Sequence, residues 1–196
     1  MKAIIGLGNP EKEYTGTRHN IGKDVLNTLY RSVSWRNESG SQSLVAYTQV
    51  KGEEVVLVKP LSFMNTSGIP VKAALSLLEI KTEDMIVIYD DIDLPLGTVR
   101  LSRNRGTGGH RGIESLSLEL DTSDFVRIRV GISPCDEEGV SHKPSKEYIS
   151  NFVVGAFSSK EKEVLLSVEK KIERALELIV ILPWEEANNA FGLLEK

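Results

Sequence analysis

An α/β fold is predicted for this chain: a three-layer α/β/α globule around a twisted, mixed and mostly parallel central sheet. Three observations carry that expectation. Short runs rich in Val and Ile recur along the first two-thirds of the sequence, apolar residues at helical spacing lie between them, and the last third changes to one long amphipathic stretch.

The first run, Lys2 to Leu7, reads as a buried opening strand, and Val55 to Val58, Met85 to Tyr89 and Val126 to Ile132 repeat the pattern. Ile21, Val25, Leu26 and Leu29 form one helical face. Val71, Ala74, Leu75 and Leu78 form a second, with Ser67 and Pro70 as start signals. Strand alternating with helix places helices on both faces of one sheet. Near the end, Ser158 and Glu161 match a capping box. Val164, Leu165, Val168, Ile172, Ala175, Leu176 and Ile179 then follow at helical spacing, so a C-terminal amphipathic helix is expected to stop before Pro183. Trp184 to Phe191 reads as a short final helix. Ser133 to Ser150, with its Pro, Gly, Glu and Lys content, is the one segment expected to be a long flexible loop.

At 196 residues, 40% hydrophobic and 27% charged, the chain is long enough for one substantial core and is expected to form a single domain over 1–196. The opening apolar run is too short to span a membrane and lacks the cleavage region of a signal peptide, so a cytoplasmic protein without membrane attachment is expected. One cysteine, Cys135, excludes an internal disulfide. His19, His110 and His142 show no metal-ligand spacing, so no structural metal is expected. A formal net charge of -4 argues against nucleic acid as a partner, but distribution matters more than the sum. Arg100, Arg103, Arg105 and Arg111 occur with no acidic residue between them, and Arg127 and Arg129 follow. That stripe is expected either to bind phosphate or to be solvated surface.

Several motifs sit where an α/β sheet places ligands. Gly6-Leu7-Gly8-Asn9-Pro10 follows the first strand but lacks a third glycine, since position 11 is Glu11, and Pro10 removes a donor. A dinucleotide is thereby excluded. The glycines instead turn the backbone and hold Asn9 at a strand's carboxyl end, although Asn before Pro is also a common turn former. His19, in Thr17-Arg18-His19-Asn20, precedes the first helix, and Asp90 follows the strand Met85 to Tyr89. A carboxylate on one ring nitrogen would fix the imidazole's tautomer and stabilise its charged form, which is what a general base needs. The nearby Asp90, Asp91 and Asp93 also allow a divalent-metal reading, although no further ligand follows at calcium-loop spacing. Asn65 lies beside Phe63 and Met64, which are expected either to receive an apolar group or to enter the core. Gly106 to Gly112 precedes a helical segment, Ile113 to Leu120, so free backbone N–H groups and the basic stripe meet there as an anion cradle.

Taken together and in order, GLGNP, YTGTRHN, KPLSFMNTSG, YDDIDLPLG, GTGGHRG and FVRIRVGI closely resemble the bacterial-type peptidyl-tRNA hydrolase family, and NFVVGAFSSKEKEVL resembles its C-terminal segment. The resemblance implies a monomeric, cofactor-free esterase that cleaves a peptide from the terminal ribose of tRNA, recycling peptidyl-tRNA left by aborted translation. It implies His19 as the catalytic histidine, Asp90 as its support, Asn9 as the residue that reads the peptide and Asn65 as a substrate contact. Tyr14, Phe63, Met64 and Gly109 fall at positions implied to line the site, and Arg103, Arg105, Arg111, Arg127 and Arg129 are expected to meet the substrate or the phosphates of its acceptor stem. One of Arg127 and Arg129 is alternatively expected to be a strand residue that faces a structural partner. The sequence departs from the family at Arg111, where the family usually has an asparagine near the reacting carbonyl and its water. Arginine there either stabilises developing negative charge or points outward to a phosphate. The competing readings are a non-catalytic RNA-binding relative of the same fold and a metal-dependent hydrolase using the three aspartates.

Overall fold

The structure is a computed structural model and describes residues 1–136 and 140–194. In chain order it runs β1 (Lys2–Gly6), α1 (Ile21–Leu29), β2 (Arg36–Glu38), β3 (Ser43–Val50), β4 (Glu53–Pro60), α2 (Gly68–Leu77), β5 (Met85–Pro95) and β6 (Val99–Arg103). It continues with α3 (Arg111–Leu120), β7 (Val126–Ser133), α4 (Ile149–Val153), α5 (Ser159–Ile181) and α6 (Trp184–Leu194). The strands form one sheet in the order β2-β3-β4-β1-β5-β7-β6. Its centre, β4, β1, β5 and β7, is parallel, and both edges are antiparallel. The expected mixed α/β architecture is therefore present.

The central strands read as unbroken apolar runs because both of their faces are covered. Ile4, Leu57, Ile86, Ile88, Ile128 and Val130 face α1, α5 and α6. Ala3, Ile5, Val56, Val58, Val87 and Met85 face α2 and α3. This is the strand period of two, with each face buried under its own helix layer. The capping box of α5 forms as expected: the Ser158 hydroxyl accepts from the Glu161 N–H, and the Glu161 carboxylate accepts from the Ser158 N–H.

Two features of the edges are not among the elements the sequence predicts. β2 and β3 make an antiparallel extension beside β4, and β6 adds a strand beyond β7. Arg100 and Arg103 consequently belong to a strand rather than to a loop. The expected long loop is present after β7, where an isolated bridge joins Cys135 and Ser141; residues 137–139 of that expectation lie outside the described residues. Its C-terminal part is ordered as the short helix α4.

The site is built at the carboxyl ends of the central strands, and two glycines let it close. A Cβ on Gly22 would lie 2.1 Å from the Ile88 carbonyl oxygen, and one on Gly6 would lie 2.6 Å from the Gly22 oxygen. Only with both bare does the start of α1 settle onto β1 and β5. Because Gly6 pairs with Ile88, β5 runs past the end of β1 and carries Asp90 beyond it, toward the residues that precede α1.

Candidate active site

His19 lies in a single 3-10 turn, Arg18–Asn20, that leads directly into α1. The flanking residues hold this turn on both sides. Arg18 donates to the Gly155 and Ala156 carbonyls, pairs with Glu161 at 2.7 Å and stacks over Phe152 and Phe157. Asn20 makes a reciprocal pair with the Asn9 backbone: its Oδ1 accepts from the Asn9 N–H at 2.8 Å, and its amide donates to the Asn9 carbonyl at 3.0 Å. Lys23, one turn into α1, donates to the same carbonyl at 3.1 Å, and burial pushes its pKa down.

Between these anchors the His19 Nδ1 lies 2.8 Å from Asp90 Oδ1. The same oxygen lies 3.0 Å from His110 Nε2. The Asp90 side chain is 2% exposed, so its charge is stabilised by protein groups rather than by water. Burial opposes its ionisation, but the two histidines outweigh that effect and hold its pKa far below the usual carboxylate range. Two neutral-ring tautomers follow. His110 Nδ1 accepts from the Ile113 N–H at 3.2 Å, which leaves its Nε2 as the protonated nitrogen donating to Asp90. His19 donates from Nδ1, leaving the Nε2 lone pair free to accept a proton. Burial lowers the pKa of His19, the charge and hydrogen bond of Asp90 raise it, and Arg111 opposes them; the net result is above the ordinary value.

His19, Asp90 and His110 also form a cluster of potential metal ligands, with their donor atoms within 4.8 Å of one another. The Ile113 contact argues against that use, because a His110 Nε2 carrying a proton has no lone pair to give a metal. The three aspartates of the metal reading do not converge. Asp91 pairs with Arg129 at 2.7 Å, and Asp93 pairs with Lys143. His110, absent from the residues singled out in the sequence, thus emerges as the second support of Asp90; its ring also packs edge-on against Tyr89 at 4.8 Å.

These groups open into a cavity of about 850 Å³. Its lining includes His19, Asp90, Asn9, Asn65, Phe63, Met64, Gly109 and Arg111, and residues of the segment before α4 and of α4 itself close another side. Asn9 is 6% exposed, and its Oδ1 is taken by the Met64 N–H at 2.9 Å, so the group it can offer a ligand is its amide N–H pair. The two readings of Phe63 and Met64 divide between them. Phe63 is 49% exposed, whereas Met64 is 4% exposed and joins the core under α2 and α3.

Other predicted residues lie elsewhere. Tyr14, in a turn whose carbonyl accepts from Thr17, is not among the residues lining the cavity. Arg127 corrects the phosphate expectation most clearly: it is 0% exposed, donates to the Gly106 and Ser123 carbonyls and stacks on Phe125. A guanidinium sealed in this way cannot reach a phosphate, and its work is to hold the Gly106 end of the loop before α3. Arg129 is 9% exposed and paired with Asp91, and Arg103 is paired with Asp124 at 2.6 Å. Arg100 and Arg105 remain exposed.

Comparison with known proteins agrees with this geometry. The family model described as peptidyl-tRNA hydrolase matches residues 3–195. The peptidyl-tRNA hydrolase of Listeria welshimeri is 37% identical over 193 residues, covering 98% of this chain and 100% of the relative. That of Aquifex aeolicus is 39% identical, covering 90% of this chain and 88% of its own length. The crystal structure of peptidyl-tRNA hydrolase from Acinetobacter baumannii superposes with a TM-score of 0.83 at 28% identity, covering 100% of this chain and 94% of that one. With its sheet order, its paired histidine and aspartate and this full-length similarity, the chain belongs to the peptidyl-tRNA hydrolase family.

Proposed function

We propose that the protein hydrolyses the ester joining a peptide, or an N-blocked amino acid, to the 3′-terminal ribose of tRNA, and that it does so as a single unit in the cytoplasm and as a monomer. The observation that carries the reading is the His19–Asp90 pair at 2.8 Å, set at the wall of a cavity large enough for a terminal nucleoside and the first residues of a peptide. Ester hydrolysis needs an activated water, a positioned carbonyl, a partner for the tetrahedral oxyanion and a proton for the leaving hydroxyl.

The residues supply these in order. Neutral His19 takes a proton from water at Nε2 while Asp90 stabilises the resulting imidazolium through Nδ1–H, and the same proton then passes to the ribose oxygen. His110 fixes Asp90 from the other side, so the carboxylate oxygen is oriented before substrate arrives. Asn9 presents its amide N–H pair toward the peptide, held by Met64, Asn20 and Lys23, and Asn65 contributes a second amide from the segment before α2. The exposed Phe63 face suits stacking with the terminal base. Arg100 and Arg105, which like Arg111 are exposed arginines of the basic stripe, are assigned to acceptor-stem phosphates, a reading their exposure supports.

The test is release of N-acetylated amino acid from a blocked aminoacyl-tRNA in excess chelator, with the unblocked aminoacyl-tRNA as control. Turnover of the blocked substrate alone is expected. Binding without turnover would replace this reading with that of an RNA-binding relative, and loss of turnover in chelator would restore a metal-dependent one.

A further inference from the structure

Among the charged side chains that line the cavity and that the mechanism above does not use, Arg111 stands nearest in role to the reacting groups, since its charge acts on His19. Arg111 is the first residue of α3, exposed, and shared between the cavity and a shallower groove of about 370 Å³ between α2 and α3. It therefore stands on the rim where the two meet, together with Asn65.

Three features of its surroundings point to a missing anion. No hydrogen bond or ion pair holds its guanidinium among the described residues, in contrast to Arg18, Arg103, Arg127 and Arg129. The carboxylates lining the cavity are already committed, Asp90 to two histidines and Asp91 to Arg129, and of the two that line the groove, Glu114 and Glu119, neither forms an ion pair with Arg111, Glu114 accepting instead from the Thr107 hydroxyl. Finally, a cation at the first position of a helix is opposed by the helix dipole, which favours negative charge there. An unpaired cation in an unfavourable place, at the mouth of a reaction cavity, is arranged for a ligand rather than for stability. Its charge also opposes protonation of His19, which puts it within electrostatic reach of the reacting centre.

We propose that Arg111 receives an anionic oxygen of the substrate at the cavity mouth. Two oxygens of the substrate have this chemistry: the phosphate 5′ to the terminal nucleoside, and the oxyanion formed when water adds to the ester carbonyl. The assignment rests on the hydrolase reading of the same cavity, and the experiment separates the two.

Wild type, Arg111→Gln and Arg111→Lys are compared on two minimal substrates, the 3′ N-acetylaminoacyl esters of adenosine and of adenosine 5′-monophosphate. Arg111→Gln is expected to lose about tenfold or more in kcat/KM, the size of a charge-assisted hydrogen bond, with Arg111→Lys recovering part of it. A rise in KM confined to the phosphorylated ester identifies the phosphate, and an equal fall in kcat on both esters identifies the oxyanion. The acid limb of kcat/KM should also move to higher pH in Arg111→Gln, because a cation near His19 has gone; that shift checks the electrostatic reach of Arg111, and the two esters decide what it binds. Losses under about twofold on both esters, at an unchanged melting temperature, overturn the proposal. Should wild type cleave neither minimal ester, the hydrolase reading is decided separately on the blocked aminoacyl-tRNA. Arg111 is then judged by titration with adenosine 5′-monophosphate: weaker binding by Arg111→Gln supports the anion role, and equal binding overturns it.

Discussion

Two polar regions flank β5 and β7, and they use their polar atoms in opposite ways. At the carboxyl end of β5 and β1, two groups that line the cavity are held by one side and left open on the other. His19 is bound through Nδ1 and keeps Nε2, and Asn9 is bound through Oδ1 and keeps its amide N–H pair. Along β6 and β7, three arginines spend their donors on the protein itself: Arg127 on carbonyls, Arg129 on Asp91 and, at the surface, Arg103 on Asp124. The difference is between a half-satisfied polar group, which is ready for substrate, and a satisfied one, which is structure. Charge in a sequence does not distinguish them; only the partners do.

The contrast is sharpest in paired substitutions. His19→Ala should lower kcat by roughly 10² to 10⁴, the range of positioned acid–base catalysis, while leaving the unfolding midpoint nearly unchanged. Arg127→Ala should do the reverse, lowering stability by about 2–4 kcal/mol because a fully buried side chain is deleted, the Gly106 and Ser123 carbonyls lose their donor and Phe125 loses its packing, with catalysis changed only as far as the loop before α3 loosens. Kinetics and denaturant melts on the same two variants check both halves. If Arg127→Ala weakened tRNA binding while keeping full stability, the division drawn here would be wrong. The smallest effect belongs to Arg105, which is exposed. Arg105→Ala should raise KM for full-length substrate a few-fold, leave a minimal ester untouched and reduce the salt dependence of binding by about one phosphate contact.

These two regions also show how far the sequence could be read. The strand ends are legible because apolar runs locate the buried strands, and ligands gather where such strands end; from that alone Asp90 and Asn9 fall at the carboxyl ends of buried strands, with His19 near the start of the first helix. His110 was not legible as a partner of Asp90, since its contact spans twenty residues of strand, turn and loop, and its tautomer is set by the Ile113 N–H of its own helix. Asn20 and Lys23 were hidden for a similar reason: they act on the Asn9 backbone, and a backbone contact leaves no mark on residue type at the other end. The arginine stripe misled because β6 was not recognised. With Val99–Arg103 and Val126–Ser133 as antiparallel partners, Arg100, Arg127 and Arg129 share one face and Arg103 lies on the other, but Arg127 and Arg129 are buried and spend their donors on protein groups, so the stripe is not one free basic surface. The β2–β3 extension carried a visible alternation in part of Ser43–Val50, but its burial pattern is irregular, with both faces partly covered.

The central claim is that Asp90 holds His19 as a neutral base with a pKa raised above its ordinary value. The direct measurement is the pH profile of kcat/KM for wild type and Asp90→Asn. A base must be unprotonated to act, so activity falls as pH drops through the pKa of His19. Burial and Arg111 depress that pKa and Asp90 alone lifts it, so removing the carboxylate's charge lets the pKa fall. The account predicts that Asp90→Asn loses about 10²-fold or more in rate and that its acid limb moves to lower pH than in wild type. An acid limb that stays in place, or moves upward, would contradict the claim that Asp90 governs the histidine.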